Sequence, residues 1–299
     1  MLESFVNFKE VNQRPWLAFI WALVICSVAI LVSIQLSFHI NVSQVSVNLT
    51  GIFAVLFTVI PSVYFMTMLI KREEAMEEEY IKKHYHETEF WERHVKDLMI
   101  FLFYFAGVTL AFSVWTMLLP GDSFIVQVAK INQIHGLSGA ASATGFAASP
   151  LADMSAVFYN NMQVLFFSFL FGFIFCGGAV FIIVWNASIL GVYIGRLAES
   201  LLHIPGISAL FIAHGVPEIG GYIAAALAGG LISVAIVRRH GQDVISRVIL
   251  DAILVLMFAL FSVFCGAMIE ATAGIYFWLF LTVWWGTFIY MLLRFLMKL

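Results

Sequence analysis

The sequence predicts an all-α, polytopic integral membrane bundle of about eight spans, and three observations carry that reading. Of 299 residues, 62% are hydrophobic and only 11% charged, with mean hydropathy +0.98, whereas soluble domains carry about a quarter charged residues. Several apolar runs reach the ~20 residues that a helix needs to cross ~30 Å of hydrocarbon. The sparse basic residues gather in a few short segments between those runs. The net charge of −3 gives no basic footprint, so nucleic acid is not an expected partner. The partner that the composition demands is a lipid bilayer.

Met1 to Arg14 is polar, and the run Pro15–Phe38 is too long for a signal-peptide core of about 7 to 15 residues, so it is expected to be retained as the first span. Leu49–Ile70 and Leu98–Leu119 follow as the second and third, and none of the three contains Lys, Arg, Asp or Glu. Segment 71–97 holds Lys71, Arg72, Lys82, Lys83, Arg93 and Lys96, whereas His39–Asn48 holds none and Pro120–Phe158 only Lys130. Cytoplasmic loops carry the excess of Lys and Arg. Segment 71–97 and the N-terminus, with Lys9 and Arg14, are therefore placed on the cytoplasmic side of the cell membrane. Within 71–97, Glu78 and Lys82, Glu79 and Lys83, Glu89 and Arg93, and Glu92 and Lys96 stand one helical turn apart with the acid first. That spacing predicts a charged cytoplasmic helix, amphipathic or continuous with a span. His84, His86 and His94 read as part of its solvated face rather than as metal ligands.

The middle, Asn161 to Val237, is apolar but broken up, and broken or re-entrant helices are expected there. Arg238, Arg239 and Arg247 form another basic loop, so an odd number of crossings must separate it from the outer loop 120–157. Three fit best: Asn161–Cys176, Ala179–Arg196 and a span ending near Val237. The alternative is one long helix from Asn161 to Gly195 and a single further span, which gives seven in all. Val248–Met268, containing Asp251, and Ile275–Leu293 complete the set. The organisation is thus an N-terminal three-span region 1–157, a membrane core 158–271, and a C-terminal span 272–299. The Gly-, Ala- and Ser-rich outer loop reads as a lid or interaction segment. Asn41-Val-Ser43 and Asn48-Leu-Thr50 match the glycosylation acceptor pattern weakly. Cys26, Cys176 and Cys265, without a CxxC pair, read as small core hydrophobes.

Polar groups at membrane depth are costly, by translocon scales ~2.5 to 3.5 kcal/mol at a helix centre for an ionised one, and so need partners or a polar cavity. Here they concentrate in Asn160, Asn161, Asn186, His214, Glu218 and Glu270, with Glu199 and His203 as a secondary set. Because Pro217 disfavours helix at Val216 and suits a first helical turn, His214 is expected in a turn and Glu218 at the start of the next helix. The two could meet as an ion pair, a proton-transfer couple or two ligands of a metal, with Glu270, Glu199 or Asn186 completing the site; alternatively, the turn is purely structural. Arg196, Glu199 and His203 stand at helical spacings that suit local pairing. Gly172, Gly177, Gly178, Gly220, Gly221, Gly229 and Gly230 read as points of close helix approach. No cofactor is expected, with a divalent metal left open.

The blocks Asn160-Asn161, FLFGFIFCGG, Asn186 with Ile189-Leu190-Gly191, His214-Gly215 with Glu218, and Ala267-Met268-Ile269-Glu270 together resemble the stage II sporulation protein M family over roughly residues 158–271. Ala213 and Ala187 stand where that family usually has Pro and Gly. The resemblance implies a multipass membrane protein, and for the namesake a role in engulfment alongside peptidoglycan-remodelling proteins. It maps the family's shared polar residues onto Asn160, Asn161, Asn186, His214, Glu218 and Glu270. The leading expectation is a non-enzymatic scaffold or assembly factor with protein partners or a homo-oligomeric state. Two alternatives stand beside it: a transporter or channel-like protein with a polar site at His214 and Glu218, and a metal-dependent intramembrane enzyme. The chain lacks HExxH, GxSxG and a second histidine in the same block, so the enzyme is the less favoured.

Overall fold

The computed structural model describes residues 11, 14–36, 39–42, 45–65, 90–133, 150–174, 176–237, 242–271 and 275–296. They form α1 (Leu17–Leu36), a hairpin of β1 (His39–Val42) and β2 (Val45–Asn48), α2 (Thr50–Phe65), α3 (Phe90–Leu118), α4 (125–133), α5 (Pro150–Ile174), α6 (Cys176–Leu197), a 3-10 turn (Leu201–His203), α7 (Ile204–Val237), α8 (Gln242–Ala271) and α9 (Ile275–Leu296). Among the described residues, five helical stretches are long and apolar enough to cross a membrane, and the shorter apolar helices Thr50–Phe65, Phe158–Ile174 and Trp278–Leu293 bring the apolar set to the eight expected.

The packing has the polarity that lipid imposes. Helix α1 buries Ala18, Ala22, Cys26, Ala29 and Ser33 while Ile20, Val24, Val28 and Leu31 face outward. Small residues inside and large aliphatics outside reverse the pattern of a helix in water. Between lipid-solvated helices there is no hydrophobic drive to associate, so close backbone approach through small residues does the work instead. Cys26 and Cys265 are buried free thiols, as their apolar surroundings lead one to expect.

The chain divides into two compact units. The first comprises Met1–Ser62, Phe103–Ser149 and Ile183–Ile212. In it, the short segment 39–48 between the first two spans is an antiparallel hairpin with His39 opposite Asn48, because Ile40, Val42, Val45 and Val47 supply β-branched residues at alternate positions. Asn48 is buried; its Oδ1 accepts from the Thr50 N–H at 2.9 Å and from the Thr50 hydroxyl at 2.7 Å, turning the chain into α2. Its Nδ2 donates to Asp122 at 3.2 Å, and His39 reaches the same carboxylate oxygen at 3.5 Å. The Asn48 amide holds the Asp122 carboxyl below its ordinary range, with His39 adding to the effect. The Asn48 amide is thus committed to the turn; the Asn41 side chain lies outside the described residues.

Further polar bonds secure this unit. The Tyr104 hydroxyl on α3 donates to Ser62 on α2 at 2.6 Å, and fully buried Gln127 donates from α4 to the Gly51 carbonyl at 3.0 Å. Helix α6 lies on α3 with Gly191 against Thr109 and Phe112 and Gly195 against Ser113 and Thr116, so that higher numbers meet higher numbers. These helices are parallel. A single helix from Asn161 to Gly195, entering from the end where α3 leaves, would run antiparallel to α3, so the packing supports three crossings in the middle and disfavours the seven-span alternative.

The second unit comprises Val63–Leu102, Pro150–Ile182 and Ala213–Leu299. Helix α8 packs against both α5 and α9. The core joins Leu165 of α5, Tyr222, Ala224, Ala225 and Ala228 of α7, and Ala252, Val255, Ala259 and Val263 of α8. Close crossings occur at Gly172 against Ala226 and at Gly229 against Phe169 and Phe173, while Gly221 meets Ala259 and Val263. Gly220 is not such a crossing: its nearest neighbour across the packing is the Trp284 ring, at 3.9 Å from an added Cβ.

Two boundaries differ from the sequence reading. Helix α3 begins at Phe90, so the end of the charged segment continues into the third span, as one of its two expected forms required; residues 71–89, with His84 and His86, and the His94 side chain lie outside the described set. The loop expected over 120–157 contains α4, and α5 already begins at Pro150. Proline at the first helical position costs no hydrogen bond, which makes Pro150 a start rather than a break.

Candidate functional site

Helix α7 runs 34 residues, from Ile204 to Val237, with Pro217 inside it. The expected turn at His214 is therefore corrected: His214 and Glu218 stand one turn apart in a continuous helix, and Glu218 does not begin one. A proline at 217 has no N–H for the carbonyl at 213, and in lipid such a carbonyl needs another donor. It finds one in the Trp285 indole, whose Nε1–H donates to the Ala213 oxygen at 3.2 Å from α9. Next to it, buried Trp284 donates to Ser262 of α8 at 2.9 Å and stacks on Phe288 with ring centroids 5.1 Å apart. The α9 tryptophans thus tie α7 and α8 together where the proline would otherwise open the helix.

Glu218 points from this stretch into the packing. It is buried, at 9% exposure, against Gly266 of α8, where an added Cβ would overlap the Glu218 side chain and come 3.1 Å from the His214 carbonyl oxygen. Only glycine leaves room for the carboxylate there. Glu270, one turn further along the same face of α8, and Tyr222, one turn further along α7, both lie within electrostatic reach of Glu218. From α5, buried Asn161 brings its amide beside Glu218. Among the described residues, neither Asn161 Nδ2 nor Glu218 Oε1 meets a hydrogen-bond partner in good geometry, although the Asn161 amide stands close enough to act on the Glu218 carboxyl. Asn160 is half-buried and donates to Asn161 Oδ1 at 3.4 Å. One face of α5 continues from Asn161 through Leu165 to Ser168, fully buried with an unpartnered hydroxyl, and Gly172.

The second unit thus brings Asn160, Asn161, His214, Glu218 and Glu270 together on α5, α7 and α8. The cluster is not at mid-membrane. Gly266 lies four residues before Glu270, where the apolar stretch Ile245–Glu270 closes, which puts Glu218 about 6 Å from that end at 1.5 Å per residue. Asn186, Glu199 and His203 fall in the first unit. Asn186 is half-buried in α6. The helical spacing of Arg196, Glu199 and His203 does not hold, because α6 ends at Leu197 and His203 stands in the 3-10 turn; Glu199 and His203 are exposed on that link. Among the described residues, no three of His, Cys, Asp and Glu come together as a metal-ligand set.

Sequence reasoning missed Trp285, Gly266, Gln127 and Ser168. The tryptophan had a readable signal, since an in-helix proline orphans the carbonyl four residues earlier and membrane packing must supply a donor. Nothing local marks Gly266 as the partner of Glu218, forty-eight residues away.

A family model described as stage II sporulation protein M matches residues 99–273, more than half of the chain, taking in nearly all of the third span as well as the cluster. No curated protein and no solved structure matches the chain.

Proposed function

The chain belongs to the stage II sporulation protein M family, and from that premise we propose that it is a non-enzymatic scaffold or assembly factor for membrane or cell-envelope partners. One observation carries the reading: α7 passes unbroken through its polar segment, with the Ala213 carbonyl taken up by Trp285 and Glu218 seated against Gly266. That construction serves a fixed surface better than a helix that must open and close around a solute. The contact surfaces are the outer loop 120–157, where it leads into α5, and the charged segment 71–97. Placement in the cytoplasmic membrane, with the N-terminus and 71–97 inside, rests on the distribution of Lys and Arg. The parallel run of α6 and α3 agrees with the eight-span arrangement that this orientation requires.

Photocrosslinking in cells tests the proposal, with a photoreactive residue at exposed Tyr159 of α5 or at exposed Leu202 before α7. The expected result is a recurrent adduct with one membrane or envelope protein, or with a second copy of the chain. If neither position captures any protein, the scaffold reading fails.

A second reading as a transporter draws on the unpartnered Glu218 Oε1 and Asn161 Nδ2, since polar groups left unsatisfied in a packed interior call for an explanation. Reconstituted liposomes in which ion or solute flux depends on Glu218 would favour it over the scaffold.

A further inference from the structure

We draw no further inference here: the strongest candidate, the apolar crevice of the second unit whose wall includes Val95 and Leu98 of α3, Ala224 and Leu227 of α7, Val255 of α8 and Met291 of α9, carries none, because nothing in the structure shows what covers it.

Discussion

Trp285→Phe isolates one hydrogen bond whose role follows from the backbone. The substitution keeps an aromatic ring on α9 and removes the Nε1–H that meets the Ala213 oxygen at 3.2 Å. Pro217 cannot replace that donor. The carbonyl is then left without a partner in a setting where orphaning a buried polar group costs ~1 to 3 kcal/mol. Interhelical hydrogen bonds in membranes measured by double-mutant cycles average only ~0.6 and reach ~1.7 kcal/mol, because the reference state also finds partners. The absence of a helical alternative at Ala213 places this bond toward the upper figure, so about 1.5 kcal/mol is expected. The decisive comparison is the same substitution in a Pro217→Ala background, where the residue 217 N–H can again reach the Ala213 oxygen. There the cost of losing Trp285 Nε1 should fall to a few tenths of a kcal/mol, giving a coupling of about 1 kcal/mol. Equilibrium unfolding in bicelles by steric trapping reads all four corners of the cycle. An equal cost in both backgrounds would refute the assignment and reduce Trp285 to a packing residue.

Gly266→Ala should destabilise by ~1 to 3 kcal/mol, because the new methyl overlaps Glu218 and presses on the His214 carbonyl; a smaller cost in a Glu218→Ala background would tie the effect to that carboxylate, and additive costs would untie it. Gly229→Ala places a methyl against the Phe169 carbonyl and 2.7 Å from the Phe173 nitrogen, so a loss of similar size is expected, whereas Gly220→Ala, with only the Trp284 ring at 3.9 Å, should change stability little. Both are read by the same unfolding assay. The Asp122 clasp predicts a pH effect of definite sign. Its folded pKa is depressed, chiefly by the Asn48 amide, so its contribution is fully present above the unfolded carboxylate pKa and is lost as pH falls through the folded one. Asp122→Asn should flatten that part of the acid limb of a stability profile, and an unchanged limb would remove the clasp from the account.

The parts of the fold legible in the sequence are those that depend on what a residue is worth in lipid. Apolar runs placed eight apolar helices near their observed positions. The middle was legible only through parity, since Asn161 to Leu197 is apolar enough for one helix or two. What decides between them is the parallel seating of Gly191 and Gly195 on α3, a long-range fact with no local trace. The hairpin at 39–48 went unread because the segment was weighed only for its lack of Lys and Arg, although its alternate β-branched residues carried the strand signal.

The site shows a related division between residue choice and residue environment. Asn161, His214, Glu218 and Glu270 stood out because ionisable and amide groups are expensive in lipid, and that argument needs no coordinates. The turn drawn at His214-Gly215-Val216-Pro217-Glu218 failed because proline's effect on a helix was treated as purely local. Proline removes one donor and crowds one carbonyl; whether the helix breaks depends on whether another helix can repair the loss, and here α9 brings an indole to the orphaned oxygen. The same repair moves the chemistry. A turn at 214 would have made Glu218 the first residue of a helix, its charge eased by free backbone N–H groups. In a continuous α7 those groups are occupied, and Glu218 meets Asn161, Glu270 and the space left by Gly266 instead. The surroundings of Glu218 are therefore tied to Pro217 and Trp285, and a substitution that reopened the helix should alter them before it altered the membrane span.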